Sequence, residues 1–194
     1  FSTKDLYKFK KFKTIVIIGV GGSILGSEAI YYFLKSKSKK KLLFFDDIDE
    51  NKLQELKSQK KLKNILFIIV SKSGNTIETL SNLFALEIVK ENSQNIIVIS
   101  ERSNNSLHFL SKKMNLHYVE HKRFLGGRYS VLSEVGMVPA YLIGTNLSKF
   151  RKNLLDHFKP KNKIFLKNSA IALANILKKN KLKNLIFLNY VPEL

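Results

Sequence analysis

Residues 64–90, Asn64-Ile-Leu-Phe-Ile-Ile-Val-Ser-Lys-Ser-Gly-Asn-Thr-Ile-Glu-Thr-Leu-Ser-Asn-Leu-Phe-Ala-Leu-Glu-Ile-Val-Lys90, hold three patterns in succession. Six unbroken apolar residues from Ile65 to Val70 fit a strand buried on both faces. Ser71 to Thr76 then brings hydroxyls and a glycine, the composition of a turn. From Thr76 to Lys90 the apolar residues return at helical spacing. A buried strand running through a short polar turn into a helix is the opening of a β-α-β crossover, in which the next strand lies parallel to the first.

The rest of the chain repeats that alternation. Strand-like runs are expected at Thr14–Ile18, Lys41–Phe45, Asn95–Ile99, Met114–Val119 and Asn184–Tyr190, each short enough and apolar enough to be buried on both faces. Helical spacing covers Ile24–Leu34, Asp49–Leu56, Asn105–Lys113, Ser130–Ile143, Ser148–His157 and Lys167–Lys178. The fold class is therefore α/β, a three-layer αβα sandwich on a mainly parallel sheet of about five strands. No linker or low-complexity tract divides residues 1–194, and the lysine-rich stretch around Pro160 reads as a connection between two helices of one domain. The chain opens on Phe1 rather than Met and stops just past the run ending at Tyr190, so a piece of a longer polypeptide is expected. Ligands of parallel sheets bind at the carboxyl ends of the strands. Chemistry is accordingly expected after Ile18, Val70 and Val119.

Composition narrows the function. The 194 residues include no cysteine, which removes disulfides, thiolate catalysis and thiolate zinc sites. No run approaches the ~20 apolar residues of a spanning helix and no signal-peptide pattern opens the chain, so a cytoplasmic protein without membrane contact is expected. The 34 Lys and Arg against 15 Asp and Glu give a formal charge of +19, which would attract polyanions. Only Arg102, Arg123, Arg128 and Arg151 carry the guanidinium favoured for base and phosphate recognition, and the lysines are dispersed. They read as solvated faces, and no nucleic-acid partner is expected.

Three loops carry chemistry. Gly19-Val-Gly-Gly-Ser23 sits where a strand turns into a helix, but Ile24 occupies the third glycine of a dinucleotide fingerprint, and Ser27 follows Gly26 where a P-loop has Lys. Asp46 and Asp47, after the second strand, imitate an acidic ribose ligand, although an Asp there is more often a helix cap. Ser71-Lys-Ser-Gly-Asn-Thr76 combines three hydroxyls, a glycine and a helix N-terminus, the ingredients of a phosphate site. A cap at Thr76, with Glu78 nearby, explains one hydroxyl but not all three. Gly126-Gly-Arg-Tyr-Ser130 clears room for Arg128 to enter a site and stabilise developing negative charge.

In this order the three loops resemble the glucose-6-phosphate isomerases, of the sugar isomerase (SIS) fold group. Gly21-Gly-Ser23 is similar to that family's G-x-G-G-S turn, and Ser71 to Thr76 to its S-K-[ST]-x-x-T loop. Gly126-Gly-Arg-Tyr-Ser-Val-Leu-Ser-Glu-Val-Gly136 is similar to its G-G-R-[FY]-S-x-x-S-x-x-G signature, which other SIS domains lack. The resemblance implies an SIS-type sheet and reversible aldose-ketose isomerisation of glucose 6-phosphate and fructose 6-phosphate, in glycolysis and gluconeogenesis, with no cofactor or metal. It implies substrate and phosphate contacts from Gly22, Ser23, Ser71, Lys72 (through its amide), Ser73 and Thr76. It gives Arg128 a catalytic role beside the reacting oxygens, where an enediolate needs a fixed cation. It implies a homodimer with a second SIS domain beyond the strand near 184–190. The family's glutamate base and ring-opening histidine also fall beyond it, so binding without turnover is expected of these 194 residues. Glu193 and Glu134 do not match the base, and His108, His117, His121 and His157 read as structural or solvent-exposed.

Overall fold

Strands β1 (Thr14–Ile18), β2 (Lys41–Phe45), β3 (Ile65–Val70), β4 (Ile96–Ser100) and β5 (His117–Glu120) form one sheet in the order β2-β1-β3-β4-β5, with every neighbouring pair parallel. The computed structural model describes residues 1–58 and 62–178. The expected strand at 184–190 lies outside them. Residues 1–145 form one unit, and the described residues from 146 onward belong to a second.

The helices are α1 (Thr3–Leu6), α2 (Leu25–Leu34), α3 (Glu50–Ser58), α4 (Ile77–Ala85), α5 (Ser106–Lys113), α6 (Glu134–Leu142), α7 (Leu147–Phe150) and α8 (Pro160–Lys178). Alternate strand residues face opposite sides, so the sheet feeds two separate cores. On one face Ile15, Ile17, Leu66, Ile68 and Val70 pack with Leu6, Tyr31, Val135 and Val138 from α1, α2 and α6. On the other, Val16, Ile18, Phe67, Ile69 and Val98 pack with Leu53, Leu83 and Leu107 from α3, α4 and α5. Those are the three layers of an αβα sandwich.

All six residues of β3 and all five of β4 are buried, as a central strand of such a sandwich requires. β2 and β5 depart from the expectation of burial on both faces. Each lies at an edge of the sheet and keeps half-exposed positions, Leu43 and Phe44 in β2 and His117 and Tyr118 in β5.

Several boundaries also differ, for identifiable reasons. α4 stops at Ala85 rather than Lys90, because Glu87 adopts a left-handed φ of 52° and its N–H donates to the Phe84 carbonyl at 3.0 Å. β5 begins at His117 rather than Met114, since Met114 and the left-handed Asn115 are spent ending α5. Ser130 to Ser133 form a turn instead of the first turn of α6, held by Ser133 Oγ donating to the Ser130 carbonyl at 2.6 Å. In the second unit, one-turn α7 and a 3-10 turn at Leu154–Phe158 replace the continuous helix expected over Ser148–His157. Pro160 opens α8 rather than interrupting a connection, as its missing N–H allows in a first turn.

Candidate active site

From β1 the chain crosses to β2 on one side and then to β3 on the other, so consecutive connections part above the carboxyl ends of β1 and β3. That divergence leaves a crevice, the usual ligand position in open parallel sheets. Gly19 to Ser23 and Ser71 to Thr76 emerge on either side of it. The loop from His121 to Ser133 emerges at the same edge of the sheet, after β5.

Ser71 is buried, and its hydroxyl lies 2.8 Å from Thr76 Oγ1 and 3.4 Å from Ser73 Oγ. Ser73 and Thr76 are 3.5 Å apart, so the three hydroxyls converge on one another. Thr76 is the N-cap residue of α4 by backbone conformation, yet its side chain makes no capping bond. It faces the other hydroxyls and leaves the first-turn N–H groups of the helix open, where the macrodipole favours an anion. The Gly74 N–H donates to Ser71 Oγ at 3.1 Å and the Asn75 N–H to Ser73 Oγ at 3.3 Å, closing the loop into a cup. Gly74 has φ +67°, and a Cβ there would run into the Asn105 side chain. Asn105 thus sits directly behind the loop, and the Leu107 N–H donates to the Gly74 carbonyl at 3.1 Å while the Ser106 N–H donates to Asn75 Oδ1 at 2.9 Å. The residues after β4 therefore brace the cup, a role that nothing in their own sequence signals.

The glycine turn meets the arginine loop backbone to backbone. A Cβ on Gly22 would lie 2.7 Å from the Arg128 nitrogen and closer still to the Gly127 carbonyl. Ser130, itself buried, donates its hydroxyl to the Gly22 carbonyl at 3.1 Å and also bonds the Gly127 carbonyl. Behind them Ser27 Oγ donates to the Val135 carbonyl at 2.8 Å, tying α2 to α6. Ser23 is half-buried in the same turn, its N–H donating to the Val20 carbonyl at 3.2 Å. Gly22 and Ser23 on one side and Arg128 on the other are thereby brought together.

Of the expected site residues, Lys72 turns its side chain away from the cup, donating to the Arg123 carbonyl at 2.9 Å and facing Glu101 at 3.8 Å. Arg128 is exposed and makes no ion pair or hydrogen bond among the described residues, so its guanidinium stands in solvent instead of entering a closed site. A Cβ at Gly127 would have nothing closer than the Gly22 Cα at 4.0 Å, whereas one at Gly126 would meet the Tyr129 ring at 3.3 Å. Asp46 and Asp47 are both engaged by Lys52, at 3.8 and 3.2 Å, and neither caps a helix. The cap of α3 is supplied by Asp49, whose Oδ1 accepts from the Asn51 N–H at 2.9 Å.

His121, read from sequence as ordinary, is 1% exposed at the root of the arginine loop, and no side-chain bond reaches either ring nitrogen. Burial holds its pKa below the usual histidine value, against an opposing pull from Glu134. Among the described residues no cluster of His, Asp and Glu could hold a metal ion, and no helix is long and apolar enough to cross a membrane.

Comparison with known proteins gives the chain a family. A family model described as phosphoglucose isomerase matches residues 4–177. A glucose-6-phosphate isomerase of Methanocaldococcus jannaschii is 33% identical over 174 residues, covering 87% of this chain and 43% of the relative. One from Borreliella afzelii is 38% identical over 141 residues, covering 66% of this chain and 26% of the relative. Among solved structures, a glucose-6-phosphate isomerase from Chlamydia trachomatis superimposes with a TM-score of 0.62 at 30% identity, over 72% of this chain and 28% of that one. The chain thus spans under half the length of these relatives.

Proposed function

The chain belongs to the phosphoglucose isomerase family, and from that premise we propose that it forms the phosphate-gripping and arginine-bearing part of a glucose-6-phosphate isomerase. The substrates are glucose 6-phosphate and fructose 6-phosphate, interconverted through an enediolate. The hydroxyls of Ser71, Ser73 and Thr76, the Lys72 amide and the first turn of α4 hold the phosphate, with Gly22 and Ser23 alongside. Lys72 contributes its amide alone, since its ammonium is committed to Arg123 and Glu101. Arg128, unpaired among the described residues, is available to stabilise the enediolate oxygens.

The observation that carries this reading is the backbone packing of Gly22 on Gly127 and Arg128, which joins the arginine loop to the crevice beside the cup. The proton shuttled between C1 and C2 requires a general base, a contribution of typically 10²–10⁴-fold. By the same resemblance that base belongs to sequence beyond this chain, so the 194 residues bind sugar phosphate without turning it over. The working enzyme is a homodimer in the cytoplasm, serving glycolysis and gluconeogenesis.

A ligand that binds only the folded state raises its melting temperature by mass action. Fructose 6-phosphate is expected to raise the Tm of the purified chain, with unphosphorylated fructose and NAD inert, and a Ser73→Ala, Thr76→Ala variant is expected to lose the shift. A shift with NAD instead, or an undiminished shift in the variant, would overturn the assignment.

A further inference from the structure

Lys72, Glu101 and Arg123 follow the carboxyl ends of β3, β4 and β5, three consecutive strands of the sheet. Neighbouring strands lie about 4.8 Å apart, so a side chain that leaves β3 for the loop after β5 must cross roughly 10 Å over the end of β4. A long side chain is needed, and Lys72 supplies it: its ammonium donates to the Arg123 carbonyl at 2.9 Å. Glu101, at the end of the strand that it crosses, meets it twice. The Glu101 N–H donates to the Lys72 carbonyl at 3.1 Å, and the Glu101 carboxylate faces the ammonium at 3.8 Å. The two side chains are only 31% and 21% exposed, so salt screens this pair less than it screens ions on the open surface.

The loop that receives the ammonium has little else to hold it. Phe124 is 85% and Tyr129 81% exposed, and the N–H groups of Leu125 and Tyr129 bond carbonyls within the loop, those of Lys122 and Gly126. Among the described residues, Lys72 supplies the hydrogen bond that ties 122–129 to another part of the fold, and the next tie is Ser130 on the Gly22 carbonyl. Its donor is charged, which makes it stronger than an ordinary hydrogen bond. It lands five residues before Arg128. The backbone of the same lysine lies in the phosphate loop, between Ser71 and Ser73.

We infer that the Lys72 side chain, steadied by Glu101, is a strap from the phosphate loop to the arginine loop, and that both residues are positioning residues for Arg128, Lys72 through its ammonium and Glu101 through Lys72. What the position of Arg128 serves rests on the isomerase reading; the strap is testable with no sugar present. A phosphate held by the Lys72 amide and a loop held by the Lys72 ammonium share one residue. Filling the cup and ordering the arginine loop therefore favour each other, to the same extent in both directions.

The experiment measures backbone hydrogen exchange by mass spectrometry in the 194-residue chain and in Lys72→Met, Lys72→Arg, Glu101→Gln and the Lys72→Met, Glu101→Gln double variant. Methionine keeps an unbranched stem and the backbone amide while removing the charged donor. Its loss is expected to accelerate exchange of 122–129 about tenfold relative to β3, and Lys72→Arg is expected to restore most of the protection. Glu101→Gln should give a smaller acceleration. The double variant should be no faster than Lys72→Met, because Glu101 acts through an ammonium that is already gone. Exchange of 122–129 unchanged in Lys72→Met, or accelerated equally in β3, overturns the strap, as does a double variant in which the two effects add. Saturating fructose 6-phosphate is added last. Protection is expected to spread from 71–76 to 122–129 in the parent chain and to stop at 71–76 in Lys72→Met, and a response of 122–129 that is the same in both chains also overturns the strap. No binding by the parent chain would count against the isomerase reading and leave exchange in the unliganded chains to decide the strap.

Discussion

Thr76 shows how much turns on where one hydroxyl points. Had it capped α4, its removal would weaken the helix and nothing else. Facing Ser71 at 2.8 Å, it belongs to the cup. Thr76→Val keeps the shape and deletes the oxygen, so stability is expected to fall by only about 1 kcal/mol, the net worth of an ordinary hydrogen bond. Affinity for fructose 6-phosphate should drop roughly tenfold or more, because bonds to a charged phosphate are stronger. Calorimetric titration of Thr76→Val beside Thr76→Ser separates the two roles: a cap would leave affinity intact, and Ser should restore it. Arg128 is the complementary case. Exposed, and unpaired among the described residues, it contributes almost nothing to their folding, so Arg128→Ala is expected to shift unfolding by no more than about 0.5 kcal/mol. The same variant should lose most of its affinity for a phosphosugar acid whose carboxylate imitates the enediolate. A large stability loss in Arg128→Ala would mean that the guanidinium serves the fold instead.

The contact between the glycine turn and the arginine loop makes an asymmetric claim about two glycines that the sequence presents alike. Gly22→Ala forces a methyl into the Gly127–Arg128 backbone, which has no side chain to move aside, and a loss of about 1–3 kcal/mol is expected. Gly127→Ala meets open space and should be close to neutral in stability. Urea unfolding of the pair checks this, and equal losses would contradict the packing. The difference marks the limit of what the sequence could disclose. Apolar runs such as Ile65–Val70 and Ile96–Ile99 made the central strands legible, since burial on both faces leaves no alternation to misread. The loops were legible as strings of Gly, Ser and Thr with an Arg. The end of α4 was not, because Glu87 stops it through left-handed backbone that neither glycine nor proline announces, whereas α5 does end at Lys113 as its spacing indicated. Nor were Asn105 behind the cup or the burial of His121, since both depend on which loops the parallel sheet carries to one edge. The partners of the Lys72 side chain were equally illegible, because the Arg123 carbonyl and Glu101 belong to other loops.

Charge acts on the molecule as a whole. At +19 the folded chain repels itself, and raising ionic strength toward 0.15 M, where screening sets in within about 8 Å, is expected to raise its melting temperature. At fixed salt the histidines set a second dependence. Burial is the main cause lowering the pKa of both His117 and His121; Lys8 adds to it at His117, and Asp5 opposes it there. In the unfolded chain these rings take up protons near the ordinary value of 6.5, whereas in the folded chain they do so only at lower pH. Between the two values the unfolded state binds more protons, so stability must fall as pH falls. Their contribution is complete above about pH 6.5 and declines on acidification below it. Urea midpoints at pH 7.5 and 5.5 in constant salt should therefore show a less stable protein at pH 5.5. His121→Gln should flatten that difference, provided the variant folds, because the residue that fails to protonate in the native state is gone. A difference as steep in His121→Gln as in the parent would place the acid sensitivity in His117 or in net charge. In that case the proton at the base of the arginine loop would have no hold on the stability of the fold.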